Sequence, residues 1–146
     1  MRVMVIVPAS EASEANKMPG EKFFAAMHAF NEELVAAGVM LSGEGLTPSA
    51  RGKRVRFAGG TTTVHDGPFT ESKEMVAGFW IWKVASMDEA VAWVRRIPVP
   101  DRDDPAHVEG AQIEIRPIAE VEDLGDSFTP ELQAKEQQLR DELARR

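Results

Sequence analysis

The chain has 146 residues, enough for one domain with one hydrophobic core, and 43% of them are hydrophobic, which is near the globular norm. It contains no cysteine, which removes disulfides, thiol nucleophiles and cysteine zinc sites and suits a reducing cytosol. A formal charge of −7 argues against nucleic-acid binding through a dominant basic surface. The apolar opening, Met1 to Val7, is too short for a signal peptide or a membrane span, so the expected setting is cytoplasmic, with no membrane contact.

Arg2 to Pro8 reads as a strand that is apolar on both alternating faces, so both faces should be covered. Ala9 to Pro19 is polar and reads as a connector or a lid. Gly20 to Ala37 reads as a helix with Phe23, Phe24, Met27, Phe30, Leu34 and Val35 on one stripe, closed by Gly38. Asn31 falls inside that stripe. A buried amide without partners costs about 1–3 kcal/mol, so Asn31 either bonds neighbouring backbone or faces a ligand. His28, at the stripe's edge, is either a half-exposed histidine or a proton relay.

Val39 to Leu46 reads as a second strand, in which period two puts Glu44 with Met40, Ser42 and Leu46. Glu44 is then an exposed strand-end residue or a pocket carboxylate. Lys53 to Ala58 and Thr61 to His65 read as a hairpin around Gly59-Gly60. Its basic run, Arg51, Lys53, Arg54 and Arg56, reads as a solvated face rather than a phosphate site.

The turn that follows is crowded with ionisable groups. An Asp opening a turn usually bonds the backbone N–H two residues on, but for Asp66 that residue is Pro68, which has none. Asp66 is left with the Phe69 N–H or water, or with a role as a carboxylate aimed into a pocket. Gly67 escapes most of the restriction that a following proline imposes.

Met75 to Val84 is the most hydrophobic run and reads as the central strand. Ser86 to Ile97 reads as a helix opened by a Ser86/Glu89 capping box, with Ala90, Val91, Val94 and Ile97 inward and Pro98 as its stop. Pro100 to Glu109 reads as an acidic loop with His107 on its surface. Gly110 to Ile118 is the last strand, where Arg116 points away from Ile113 and Ile115, toward a carboxylate or an anionic ligand. Thr129-Pro130 opens a final helix whose sparse Leu132, Leu139 and Leu143 leave it solvated or docked on a neighbour. The order of elements predicts an α+β fold, an antiparallel sheet with helices on one face and a partner subunit sealing the other.

The run Asp66-Gly67-Pro68-Phe69-Thr70-Glu71-Ser72-Lys73-Glu74 resembles the signature of the DGPF branch of the YCII-related proteins. Phe30-Asn31-Glu32-Glu33-Leu34, Gly43-Glu44-Gly45-Leu46 and Ile115-Arg116-Pro117 match in the same order. The resemblance spans residues 1–120 and leaves 121–146 as a linker and helix extension. It implies a ferredoxin-like α+β fold pairing into a dimeric α+β barrel, hence a homodimer, with a pocket between sheet and helices.

A His–Asp pair is the active centre that the resemblance implies, with Asp66 as general base by its motif position and His65 or His28 as the histidine. Asn31, Glu44 and Arg116 are the expected substrate contacts. The expected function is acid–base chemistry of the lyase or isomerase kind on a small molecule, without cofactor or metal. The alternative is a ligand-binding or regulatory module associated with extracytoplasmic-function sigma factors, whose genes often neighbour those of DGPF proteins.

Overall fold

A computed structural model describes residues 1–70 and 74–146. In chain order the elements are β1 (Arg2–Pro8), α1 (Glu11–Glu14), α2 (Glu21–Ala36), β2 (Met40–Gly45), β3 (Lys53–Ala58), β4 (Thr61–Asp66), β5 (Val76–Lys83), α3 (Met87–Val94), β6 (Glu114–Pro117) and α4 (Pro130–Ala144). Four strands form one antiparallel sheet in the order β2-β5-β1-β6, and β3 and β4 form a separate two-stranded ladder. Helices α2 and α3 each join two strands that flank a third, β5 between β1 and β2 and β1 between β5 and β6, the connectivity of two split β-α-β units.

Alternation along the strands decides the layers. Val3 and Val5 of β1 and Trp80 and Trp82 of β5 point to the helical side and are buried, Trp82 and both valines completely. Helix α2 meets them with Phe30 and Leu34. The Phe30 ring stands edge-on to Trp80, Trp82 and Trp93, with centroids 6.3, 6.4 and 6.3 Å away. The expected stripe on α2 is wider than the buried one, since Phe24 and Val35 are exposed. Val91, expected to face inward from α3, is exposed as well. Gly38, at φ +70°, ends α2: its N–H reaches Val35 and the Val39 N–H reaches back to Leu34 at 2.9 Å. At α3 only half of the expected capping box forms. Ser86 Oγ accepts the Glu89 N–H, but the Glu89 carboxylate takes the Ala85 N–H at 2.5 Å.

The opposite sheet face bears on the expected barrel. Met4, Ile6, Phe79 and Ile81 point there and are only half-buried. No sheet is closed among the described residues: β2 and β6 are free edges of an open four-stranded sheet, and the two-stranded ladder stands apart from it. The closed dimeric α+β barrel is therefore corrected to an open α+β sheet with helices on one face. A reading of apolar runs on both faces requires cover for the second face, but it does not specify closure.

The segment between α3 and β6 packs along the start of α2. Asp104 accepts the Gly20 N–H at 2.8 Å, and Lys22 pairs with Asp101 at 2.6 Å. His107, expected on the surface, is half-buried. Its Nδ1 donates to the Pro100 carbonyl at 2.9 Å and its Nε2 lies 3.3 Å from Glu109. Those two contacts, the carbonyl first, hold its pKa above the ordinary 6.5. A raised folded pKa means that the stabilisation is fully present below the unfolded value and is lost as pH rises through the folded one. Protection factors for amide exchange in residues 98–109, which correct for the intrinsic rate, should therefore fall above that window, and His107→Gln should remove that fall. Equal protection factors on both sides in the parent protein would refute the assignment.

Candidate functional site

The turn after β4 is built by contacts that the sequence does not announce. The Gly67 N–H donates to the Gly52 carbonyl at 3.0 Å, and a Cβ on Gly67 would overlap the Ser49 carbonyl oxygen. The turn is thus wedged against the backbone at Ser49 and Ala50, where only glycine fits. The Gly67–Pro68 bond is cis. The Phe69 N–H donates to Ser49 Oγ at 3.0 Å, so the fallback partner expected for Asp66 is taken. Asp66 instead pairs with Lys53, directly opposite it on the ladder.

Glu14 locks Ser49 from the other side. Its carboxylate accepts the Ser49 N–H at 3.0 Å and the Ser49 hydroxyl at 2.5 Å. Glu14 ends α1, the single helical turn that replaces the expected connector or lid. Ser10 and Ser13 cap that turn reciprocally at 3.1 and 2.8 Å. One hydroxyl thereby ties together α1, the segment after β2 and the Gly67–Phe69 turn.

Between these pieces lies a cleft of about 240 Å³. Leu46, Phe69, Met75 and Val76 give it an apolar lining, and Glu14, Arg54 and Glu74 are its ionisable groups. The Arg54 guanidinium lies over the Phe69 ring, 4.0 Å from its centroid. Among the described residues no carboxylate pairs with Arg54. A larger hollow, about 490 Å³, is lined by α4 alone. One helix gives a ligand no opposing wall, so we place the candidate site in the smaller cleft.

The expected site residues lie elsewhere in the fold. Asp66 is 76% exposed at the base of the ladder. His65 is exposed and faces Arg54 across the ladder, next to the cleft. His28 is 78% exposed and lies 3.3 Å from Glu32, one turn along α2. Asn31 accepts the Trp80 indole N–H at 2.9 Å, so its partner is a core side chain rather than backbone. Glu44 and Arg116 lie on the open sheet face but on opposite edge strands, with β5 and β1 between them. Arg116 is 3.4 Å from Glu114. Among the described residues no hydrogen bond or ion pair joins any two of these six. Glu71, Ser72 and Lys73 of the motif lie outside the described residues.

Sequence reasoning missed Glu14, Ser49, Arg54 and Glu74 as a group. Phe69 was signalled by the motif, and Arg54 by the basic run. Glu14 and Ser49 carried no signal, because a four-residue helix shows no periodicity and a serine in a turn is ordinary.

Residues 1–121 match the YCII-related domain family. The chain belongs to the YCII-related family. A YCII-related chain of this kind also aligns with an uncharacterized protein of Rhizobium meliloti, 31% identical over 110 residues, covering 75% of this chain and 84% of that relative. Among solved structures, 5-chloro-2-hydroxyhydroquinone dehydrochlorinase from Burkholderia phenoliruptrix, in complex with 2,5-dihydroxybenzoquinone, aligns over 84% of this chain and 97% of that one. The identity is 18% and the TM-score 0.42, a likeness too distant to transfer a residue or a reaction.

Among the described residues no group of three or more His, Asp or Glu side chains is placed to share a metal ion, and no helix is long and apolar enough to cross a membrane.

Proposed function

We propose that this YCII-related protein takes a small organic molecule into the cleft beside the Gly67–Phe69 turn and moves a proton on it, as lyases and isomerases do. One observation carries the reading: the motif's own residues are spent on walling that cleft. Gly67 allows the close approach to Ser49, the Phe69 N–H holds the serine, and the Phe69 ring supports Arg54. Carboxylates beside an apolar wall are suited to acid–base work. Glu14 is already committed to Ser49, so Glu74 takes the proton-handling role and Arg54 binds the molecule. Asp66, neutralised by Lys53 in solvent, braces the base of the ladder, and His65 flanks Arg54.

The test is exchange of carbon-bound protons. Small carboxylic and aromatic acids incubated with the protein in deuterated water should lose specific C–H signals. Glu74→Gln should slow that loss about 100-fold or more, the usual contribution of a positioned acid–base group. Unchanged exchange in Glu74→Gln would reject Glu74, and no exchange with any compound would reject the chemistry.

Two features favour association as well. The open sheet face, with Met4, Ile6, Phe79 and Ile81 half-buried, suits a second copy, so we include a homodimer in the reading. Helix α4 exposes Leu132, Leu139 and Leu143 at 42, 57 and 70%. That row of leucines supports the second reading, a regulatory module that docks a protein such as a sigma factor.

A further inference from the structure

We infer that the cleft is specific for a planar organic anion that also bears a neutral hydrogen-bond donor; the inference rests on the proposed use of the cleft. It starts from Arg54. A guanidinium over an aromatic ring spends one flat face on the ring, while its N–H edge remains available for a planar carboxylate or phenolate. Among the described residues no carboxylate occupies that edge, although Glu14 and Glu74 line the same cleft. Glu14 is held by both donors of Ser49, which keeps it from swinging to Arg54.

An anion at Arg54 shares the cleft with the Glu74 carboxylate, which repels a second negative charge and accepts a hydrogen bond from a neutral hydroxyl or amine. Phe69, Leu46 and Val76 line the same cleft and present apolar surface to the body of the ligand. A charge for Arg54, a donor for Glu74 and a flat apolar body describe a hydroxylated or aminated aromatic acid. Arg56 lies on the same side of the ladder as Arg54 but does not line the cleft, so it serves as an internal control.

Three probes test this by calorimetric titration of the full chain: 4-hydroxybenzoate, its neutral isostere 4-hydroxybenzamide, and benzoate, which lacks the donor. The expected result is measurable binding of 4-hydroxybenzoate, with each of the other two at least tenfold weaker. Arg54→Gln should abolish the preference for the acid over the amide, Glu74→Gln should narrow the gap between 4-hydroxybenzoate and benzoate, and Arg56→Gln should leave both preferences intact. Arg54 is exposed, and a circular-dichroism melt of each variant verifies folding.

Amide shifts at Ser49 and Phe69, followed by NMR in parallel titrations with the same probes, separate the specificity from the cleft itself. Equal binding of acid and amide with those shifts present overturns the anion specificity and leaves the cleft standing. Tight binding of the acid without those shifts overturns the cleft itself. No binding of any probe by the folded parent protein also overturns the specificity.

Discussion

Replacing Gly67 with alanine is expected to cost about 3 kcal/mol of stability, at the upper end of ordinary overpacking. The added methyl would meet the Ser49 carbonyl and come within 3.2 Å of the Ala50 Cα. Both are backbone and cannot rotate away as a side chain does. The turn and the segment after β2 must therefore part, breaking the Gly67–Gly52 and Phe69–Ser49 hydrogen bonds together. Urea unfolding should show the lower midpoint, and ligand binding in the cleft should disappear with it. A midpoint equal to the parent's would mean that Gly67 is not wedged, and the cleft would lose its best-defined wall.

A comparable loss is expected in the core. Leu34 is fully buried between α2 and the sheet, so Leu34→Ala should cost about 3 kcal/mol, within the usual range for leucine truncation. Its neighbour Val35 is 62% exposed, and Val35→Ala should stay within about 0.5 kcal/mol. The pair fixes the rotation of α2, because a rotation that buried Val35 would make the second substitution costly. Equal losses from both would require a different packing of the helix.

The scaffold was legible where a repeating pattern extended over enough residues. Continuous apolar runs over Arg2 to Pro8 and Met75 to Val84 located the two central strands, and Phe30 and Leu34 located the buried side of α2. The edge of that stripe was not legible. Phe24 and Val35 are as apolar as their neighbours, and only the width of the sheet beneath decides which are covered. The same limit applies to the barrel. An apolar second face announces a need for cover, yet closure depends on how the free edges β2 and β6 are met, and no residue pattern encodes that.

The site was legible in part. The motif marked the turn that walls the cleft, but its chemistry pointed to Asp66, whereas its glycine and phenylalanine make the contacts that build it. The remaining walls come from residues 14, 49 and 54, brought to the turn by long-range hydrogen bonds and stacking. Such contacts leave no trace in local periodicity. Asn31 illustrates the other side of the argument. Sequence reasoning required a partner for a polar group in an apolar stripe, and one exists, the Trp80 indole, which no local rule identifies.

The most direct test of the cleft is amide chemical-shift mapping on the isotope-labelled protein, titrated with a small set of charged and neutral aromatic fragments. The largest shifts should fall on Ser49, Arg54, Phe69 and Met75, and Gly67→Ala should remove them. Shifts gathered instead on Met4, Phe79 and Ile81 of the open sheet face, or along α4, with those four amides unmoved, would contradict the placement of the site in the cleft.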